Sequence, residues 1–181
     1  LDGNMIFGFR YFRGGADGLL HNSFAQDIVQ NLSDGNYLLA LKGGSGVFYF
    51  MPGLRYVEAF SKLFFGDTNY AYLILSTFLP LGIFIFFYKY LNKKYALILF
   101  LSFIFFPIFE NMGFGFFNYI WQIARNHAET LSIVFIILSL TFIVDLNKNF
   151  KKNNYEKTIL ILIGLSLAIA AICRPNFFPT T

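Results

Sequence analysis

Arg125, His127 and Glu129 fall within five residues at the edge of an apolar run. A guanidinium offers a planar fork of donors that matches phosphate oxygens, and an imidazole can add another donor. A helix predicted over Asn118–Glu129 puts Arg125 and Glu129, four apart, on one face, with His127 about 200° from Arg125. Two readings follow. In the first, Arg125 pairs with Glu129 and His127 is solvated at an interface. In the second, Arg125 or His127 meets a phosphate, and Glu129, costly to place unpaired beside an apolar run, orients that cation.

The elements that must position these residues are set by where charge is missing. Thr68–Tyr88, Tyr95–Phe109, Thr130–Val144 and Thr158–Cys173 carry no charged residue. The first block, roughly 21 residues at 1.5 Å each, spans the ~30 Å hydrocarbon core of a bilayer. The other three run roughly 15 or 16 residues and need their flanks to complete the crossing. Lys93, Lys94 and Lys157 can snorkel outward, while Tyr88, Tyr90, Tyr95, Tyr119 and Trp121 suit an interfacial belt. The expected fold is all-α: a polytopic helical bundle with spans near 68–88, 95–109, 129–145 and 158–173. An external region over 1–67 precedes it, and 174–181 begins the next external segment.

Composition opposes a soluble helical protein. Of the chain, 56% is hydrophobic, 21% aromatic and 13% charged, with a mean hydropathy of +0.57, against roughly 25% charged in soluble domains. Four helices apolar on nearly every face would leave nothing to show to water.

Lysine placement orients the bundle. The connection 89–94 carries Lys89, Lys93 and Lys94 with no acid, and 145–157 carries Lys148, Lys151, Lys152 and Lys157 against Asp145 and Glu156. Both belong on the cytoplasmic side. The connection Glu110–Glu129 and the stretch Leu1–Asp67 lack such an excess and belong outside. The net charge of +4 and pI near 9.1 thus reflect topology and call for no nucleic acid.

Several chemistries find no support. Cys173 is the single cysteine, no HExxH or Cys/His cluster occurs, and Lys42-Gly-Gly-Ser-Gly46 lacks the ending of a phosphate-cradling P-loop. Asn31-Leu32-Ser33 fits a glycosylation sequon of a kind common by chance. The chain opens Leu1-Asp2-Gly3 without signal-peptide regions and stops soon after an apolar run, which reads as a fragment with a further span expected before Leu1.

Within 1–67, Phe24, Ile28, Val29 and Leu32 recur at helical spacing, predicting an amphipathic helix over His21–Leu32 that Asp34-Gly35-Asn36 ends. Leu38–Leu41 is ambiguous and Gly43-Gly-Ser-Gly46 is a break. A second helix is predicted over Leu54–Leu63, with Gly66-Asp67-Thr68 as hinge and N-cap to the first span. The two helices are expected to lie on the outer membrane surface.

The ordered series Ala16-Asp17-Gly18, Phe24-Ala25-Gln26-Asp27-Ile28, Gly35-Asn36-Tyr37, Tyr49-Phe50-Met51-Pro52-Gly53-Leu54-Arg55-Tyr56 and Leu63-Phe64-Phe65-Gly66-Asp67-Thr68 resembles the first external loop of GT-C glycosyltransferases. The nearest branch is that of protein mannosyltransferases and aminoarabinose transferases. The resemblance extends from Gly15 to about Arg174 and rests on the order of the series, not on any one motif.

The resemblance implies a multi-span enzyme of the bacterial inner membrane. It would move a hexose or pentose from a polyprenyl-phosphate donor to a glycan, lipid or protein acceptor at the periplasmic face. Asp17 matches the family's catalytic acid. Transfer with inversion needs a carboxylate to take the acceptor hydroxyl's proton and cations to hold the departing lipid phosphate. Otherwise Asp17 merely shapes an Asp-Gly turn.

Relatives often carry a basic residue near Arg174, making it a second phosphate candidate beside Arg125 and His127, against a role as interfacial anchor. Arg55 is a third, with the same alternative, and Glu129 could orient a cation or the sugar. The chain departs from the family where many relatives carry two acids at Asp17-Gly18 and a Lys-Pro-Pro-Leu turn at Met51–Leu54. The missing second acid leaves a divalent metal without a paired-acid motif. Two other classes stay open: a transporter or flippase component for lipid-linked sugars, and another outer-face transferase such as an acyltransferase or polysaccharide ligase. The charge-free blocks disfavour the midplane ionisable groups that transporters use.

Overall fold

The computed structural model describes residues 16–43, 52–68, 70–106, 115–148 and 153–174, and every element in them is helical. Three helices form the region before the spans: α1 (Ala16–Ser33), α2 (Tyr37–Leu41) and α3 (Gly53–Phe65). The bundle follows with α4 (Tyr70–Tyr90), α5 (Lys93–Phe105), α6 (Phe116–Ala124), α7 (Ala128–Lys148) and α8 (Asn153–Cys173).

Local signals explain several helix ends. Gly35 takes φ +77° and Asn36 N–H donates to the Asn31 carbonyl at 2.8 Å, the left-handed stop expected of Asp34-Gly35-Asn36. Helix α1 starts at Ala16, earlier than expected, so Asp17 and Gly18 lie in its first turn and not in an Asp-Gly turn. The residue just before α4, Asn69, where an N-cap would sit, lies outside the described residues, and Thr68 is engaged with α3. Its hydroxyl donates to the Phe65 carbonyl at 2.8 Å and closes α3. At α5, the Asn92 side chain accepts from Tyr95 N–H at 3.1 Å.

Three helices are long and apolar enough to cross a membrane: Leu73–Tyr90 in α4, Ala128–Lys148 in α7 and Glu156–Cys173 in α8. Ile74, Phe78, Leu81, Leu160, Ile161 and Leu165 stand exposed on α4 and α8. Helices with so apolar an outside belong in lipid, where backbone polar groups must pair within the helix. The chain is a membrane protein with three such helices among the described residues, not four. The span expected over 95–109 meets only α5, whose 13 residues rise ~20 Å against a ~30 Å core; residues 107–114 lie outside the described part.

The chain nevertheless doubles back between α4 and α7. Lys89 near the end of α4 pairs with Asp145 near the end of α7. Close to the other end of α4, the Tyr119 hydroxyl of α6 donates to the Leu75 carbonyl. Helices α4 and α7 therefore run in the same direction. Tyr119 is thus buried against α4, while Tyr88, Tyr90, Tyr95 and Trp121 are exposed as a belt requires. Burial also pushes the Tyr119 phenol above the ordinary tyrosine range.

Helices α7 and α8 pack most extensively, antiparallel. Ala170, Ser132, Ser139 and Ser166 are buried, and the Ser132 hydroxyl donates to the Ala170 carbonyl. Small side chains let the two backbones approach closely, the usual route to helix association where lipid gives no hydrophobic drive.

Candidate functional site

One end of the bundle collects most of the candidate residues. Helix α6 stops at Ala124, Arg125 stays near αR, and Asn126 enters the left-handed region at φ +60° before α7 begins at Ala128. His127 N–H then reaches back to the Gln122 carbonyl at 3.0 Å, and the Thr130 hydroxyl donates to the His127 carbonyl at 2.7 Å. Asparagine tolerates this conformation better than most residues. The single helix expected over Asn118–Glu129 is thus broken, and Arg125 and Glu129 do not share a face.

The break redistributes the partners. Arg125 lays its guanidinium over the Trp121 ring, 3.9 Å from its centroid. Glu129 instead receives Arg174 from the end of α8, Nη2 to Oε1 at 2.8 Å, and its other oxygen lies 3.8 Å from Nδ1 of His127. The His127 ring is 5.9 Å from that of Trp121, completing a continuous patch. With side-chain exposures of 41% for Arg174 and 27% for Glu129, the pair remains open to a ligand. Two guanidiniums against one carboxylate leave the patch net positive even with a neutral imidazole.

Comparison with protein-family models, curated proteins and solved structures finds no match to this chain.

Arg55 does not join the patch. It is 2% exposed, donates from Nη1 to the Gly43 carbonyl at 2.9 Å, and stacks over Phe24 of α1 at 4.5 Å. Burial lowers its pKa from the ordinary value. Its neighbours on α3, Glu58 and Ser61, are buried too, as is His21 of α1. Neither His21 nor Glu58 stands out in the sequence; the available signal is that Glu58 follows Arg55 by three residues and so shares its helix face.

Asp17 lies one helical turn before His21; its side chain lies outside the described residues. Helices α1 and α3 advance together: Phe24 meets Arg55, while farther on Asp27 and Gln30 share a polar hollow of about 470 Å³ with Lys62 and Asp67. The turn bearing Asp17 is therefore at the end of α1 toward the start of α3. That start is fixed to the spans, because a β-carbon on Gly53 would stand 2.8 Å from Sγ and 2.9 Å from the backbone nitrogen of Cys173. Arg174 is the next residue. Among the described residues, no three His, Cys, Asp or Glu side chains converge in a way that could hold a metal ion.

A second feature shares α6 with the patch. An apolar cavity of about 530 Å³ runs among α4 to α7, lined by Leu79, Ile83, Phe87, Phe103 and Ile137, with Tyr119 and Gln122 of α6 also on its wall. Helix α6 thus borders the apolar cavity with two side chains and the cationic patch with Trp121.

Proposed function

We propose that this chain belongs to a membrane glycosyltransferase of the GT-C kind, acting at the external face on a polyprenyl-phosphate-linked sugar. The observation that carries the reading is α6, which puts an apolar cavity within the spans beside an open cluster of Arg125, His127, Glu129 and Arg174. An amphiphile with a long apolar tail and a phosphate head matches both. The tail enters between α4 and α7. The phosphate takes N–H donors from Arg174 and Arg125, with His127 adding one when its tautomer or charge allows.

Asp17 serves as general base. It takes the proton from the acceptor hydroxyl as that oxygen attacks the anomeric carbon, and the bond to the carrier phosphate breaks with its electrons passing to the phosphate. The cations stabilise the charge that develops on the leaving group. Glu129 keeps Arg174 extended toward the patch. The lysine-rich end, with Lys89, Lys93, Lys94 and Lys148, faces the cytoplasm.

The test is reconstitution of the protein with a panel of polyprenyl-phosphate sugars. Transfer of label to a hydroxyl acceptor supports the reading. Movement of the lipid-linked sugar across the bilayer without transfer replaces it with a flippase or transporter role.

A further inference from the structure

Helix α3 has its polar side inward. Arg55, Glu58 and Ser61 face the protein, whereas Tyr56, Phe60, Leu63 and Phe64 face out, with Phe60 at 61% and Phe64 at 66% exposure. The outward residues recur at steps of four, three and one, which is one stripe of a helix. Phe60 and Phe64 contact each other, ring centroids 4.4 Å apart. A helix beside water would turn the opposite face outward.

Both ends of α3 are held at ends of spans. Its first residue, Gly53, abuts Cys173 at the end of α8, and its last, Phe65, brings its ring within 6.2 Å of that of Tyr70, where α4 begins. A helix tied at both ends to the level where spans emerge must run along that level. Its aromatic stripe is also continuous with the exposed apolar side of α4, where Tyr70, Ile74 and Phe78 follow. Helix α2 extends the ridge: Leu38 and Leu41 are exposed, and the Tyr56 hydroxyl donates to the Leu41 carbonyl.

We infer that the α2–α3 ridge is a lipid contact. It is immersed about 5–10 Å into the boundary between headgroups and acyl chains, in the leaflet at the Arg174 end. Tyr56, Phe60, Leu63 and Phe64 enter the lipid. Arg55 and Glu58 are sheltered under α1, which rides on the aqueous side. This differs from two helices lying side by side on the surface: α3 is the float and α1 is its cargo, carrying Asp17 at a depth that α3 fixes. The contact stands or falls independently of any glycosyl transfer.

The experiment uses the full chain in nanodiscs, with Trp121→Tyr to remove the single native tryptophan and Phe60→Trp or Phe64→Trp as reporter. Ser23→Trp, on the exposed side of α1, serves as the aqueous reference, and circular dichroism checks helicity. The expected result is blue-shifted emission from both ridge reporters, quenching by phosphatidylcholine spin-labelled near the headgroup more than by lipid labelled deep in the chain, and protection from acrylamide. Free quenching by acrylamide with none by lipid overturns the inference in favour of a water-facing helix. Shielding from both quenchers overturns it in favour of a protein cover, either a second copy or another segment of the polypeptide.

Discussion

Arg174 reaches Glu129 at 2.8 Å across the meeting ends of two antiparallel helices, while Arg125, four residues before that carboxylate, stacks on Trp121 instead. The pair sits at the opposite end of α7 from Asp145, whose partner is Lys89. At 1.5 Å per residue the two acids of α7 are ~24 Å apart along the axis. Charge thus gathers at both ends of the apolar length and nowhere between.

Because the Arg174–Glu129 pair is partly exposed, Glu129→Gln is expected to change unfolding free energy by less than about 1 kcal/mol. Its effect on ligand binding is larger. Arg174→Ala should weaken binding of a polyprenyl phosphate by roughly tenfold or more, the range of a charged hydrogen bond. Arg174→Lys should restore only part of it, since the forked geometry is lost. Equilibrium binding in detergent measures both; equal affinity for all three proteins would remove Arg174 from the site.

Gly53→Ala should destabilise the protein by about 1–3 kcal/mol, as overpacking does. The added carbon meets backbone of Ile172 and Cys173 as well as the thiol. Cys173→Ala in the same protein should therefore fail to rescue it. Thermal unfolding in detergent decides, and a full rescue would show that the thiol alone sets the contact.

The helix break predicts an unusual ranking at Asn126. Glycine should be tolerated there, whereas Asn126→Ala should cost about 1–2 kcal/mol because φ is positive. If alanine proves the more stable, α6 and α7 are not broken at this residue.

Tyr119→Phe removes the hydroxyl bonded to the Leu75 carbonyl and should lower stability by about 1 kcal/mol at neutral pH. Burial raises the phenol's pKa in the folded state. The neutral form is thus favoured by folding, and its stabilisation is fully present below the unfolded tyrosine pKa and falls as pH rises above it. The wild type should lose stability at alkaline pH more steeply than Tyr119→Phe, as stability against pH will show.

Much of this was legible in sequence because the signals were local. Asp34-Gly35-Asn36 ends α1 where its turn chemistry says, and absence of charge marks α4, α7 and α8 as candidate spans. The features that escaped depend on partners distant in the chain. The Glu129–Arg174 pair joins two helices, the stop at Asn126 occurs within otherwise helix-forming residues, and no local pattern says that the polar face of α3 turns inward. Arg55 stood as a third phosphate candidate against an anchoring role, and its packing on Phe24 and bond to Gly43 tie α1 and the turn after α2 to α3.

The most direct measurement is sugar transfer by the Asp17→Asn protein in reconstituted membranes, with donor binding and membrane insertion followed in parallel. Transfer is expected to fall roughly 10²–10⁴-fold, the usual contribution of a general base, while donor binding and insertion persist. Transfer at the wild-type rate would contradict that expectation.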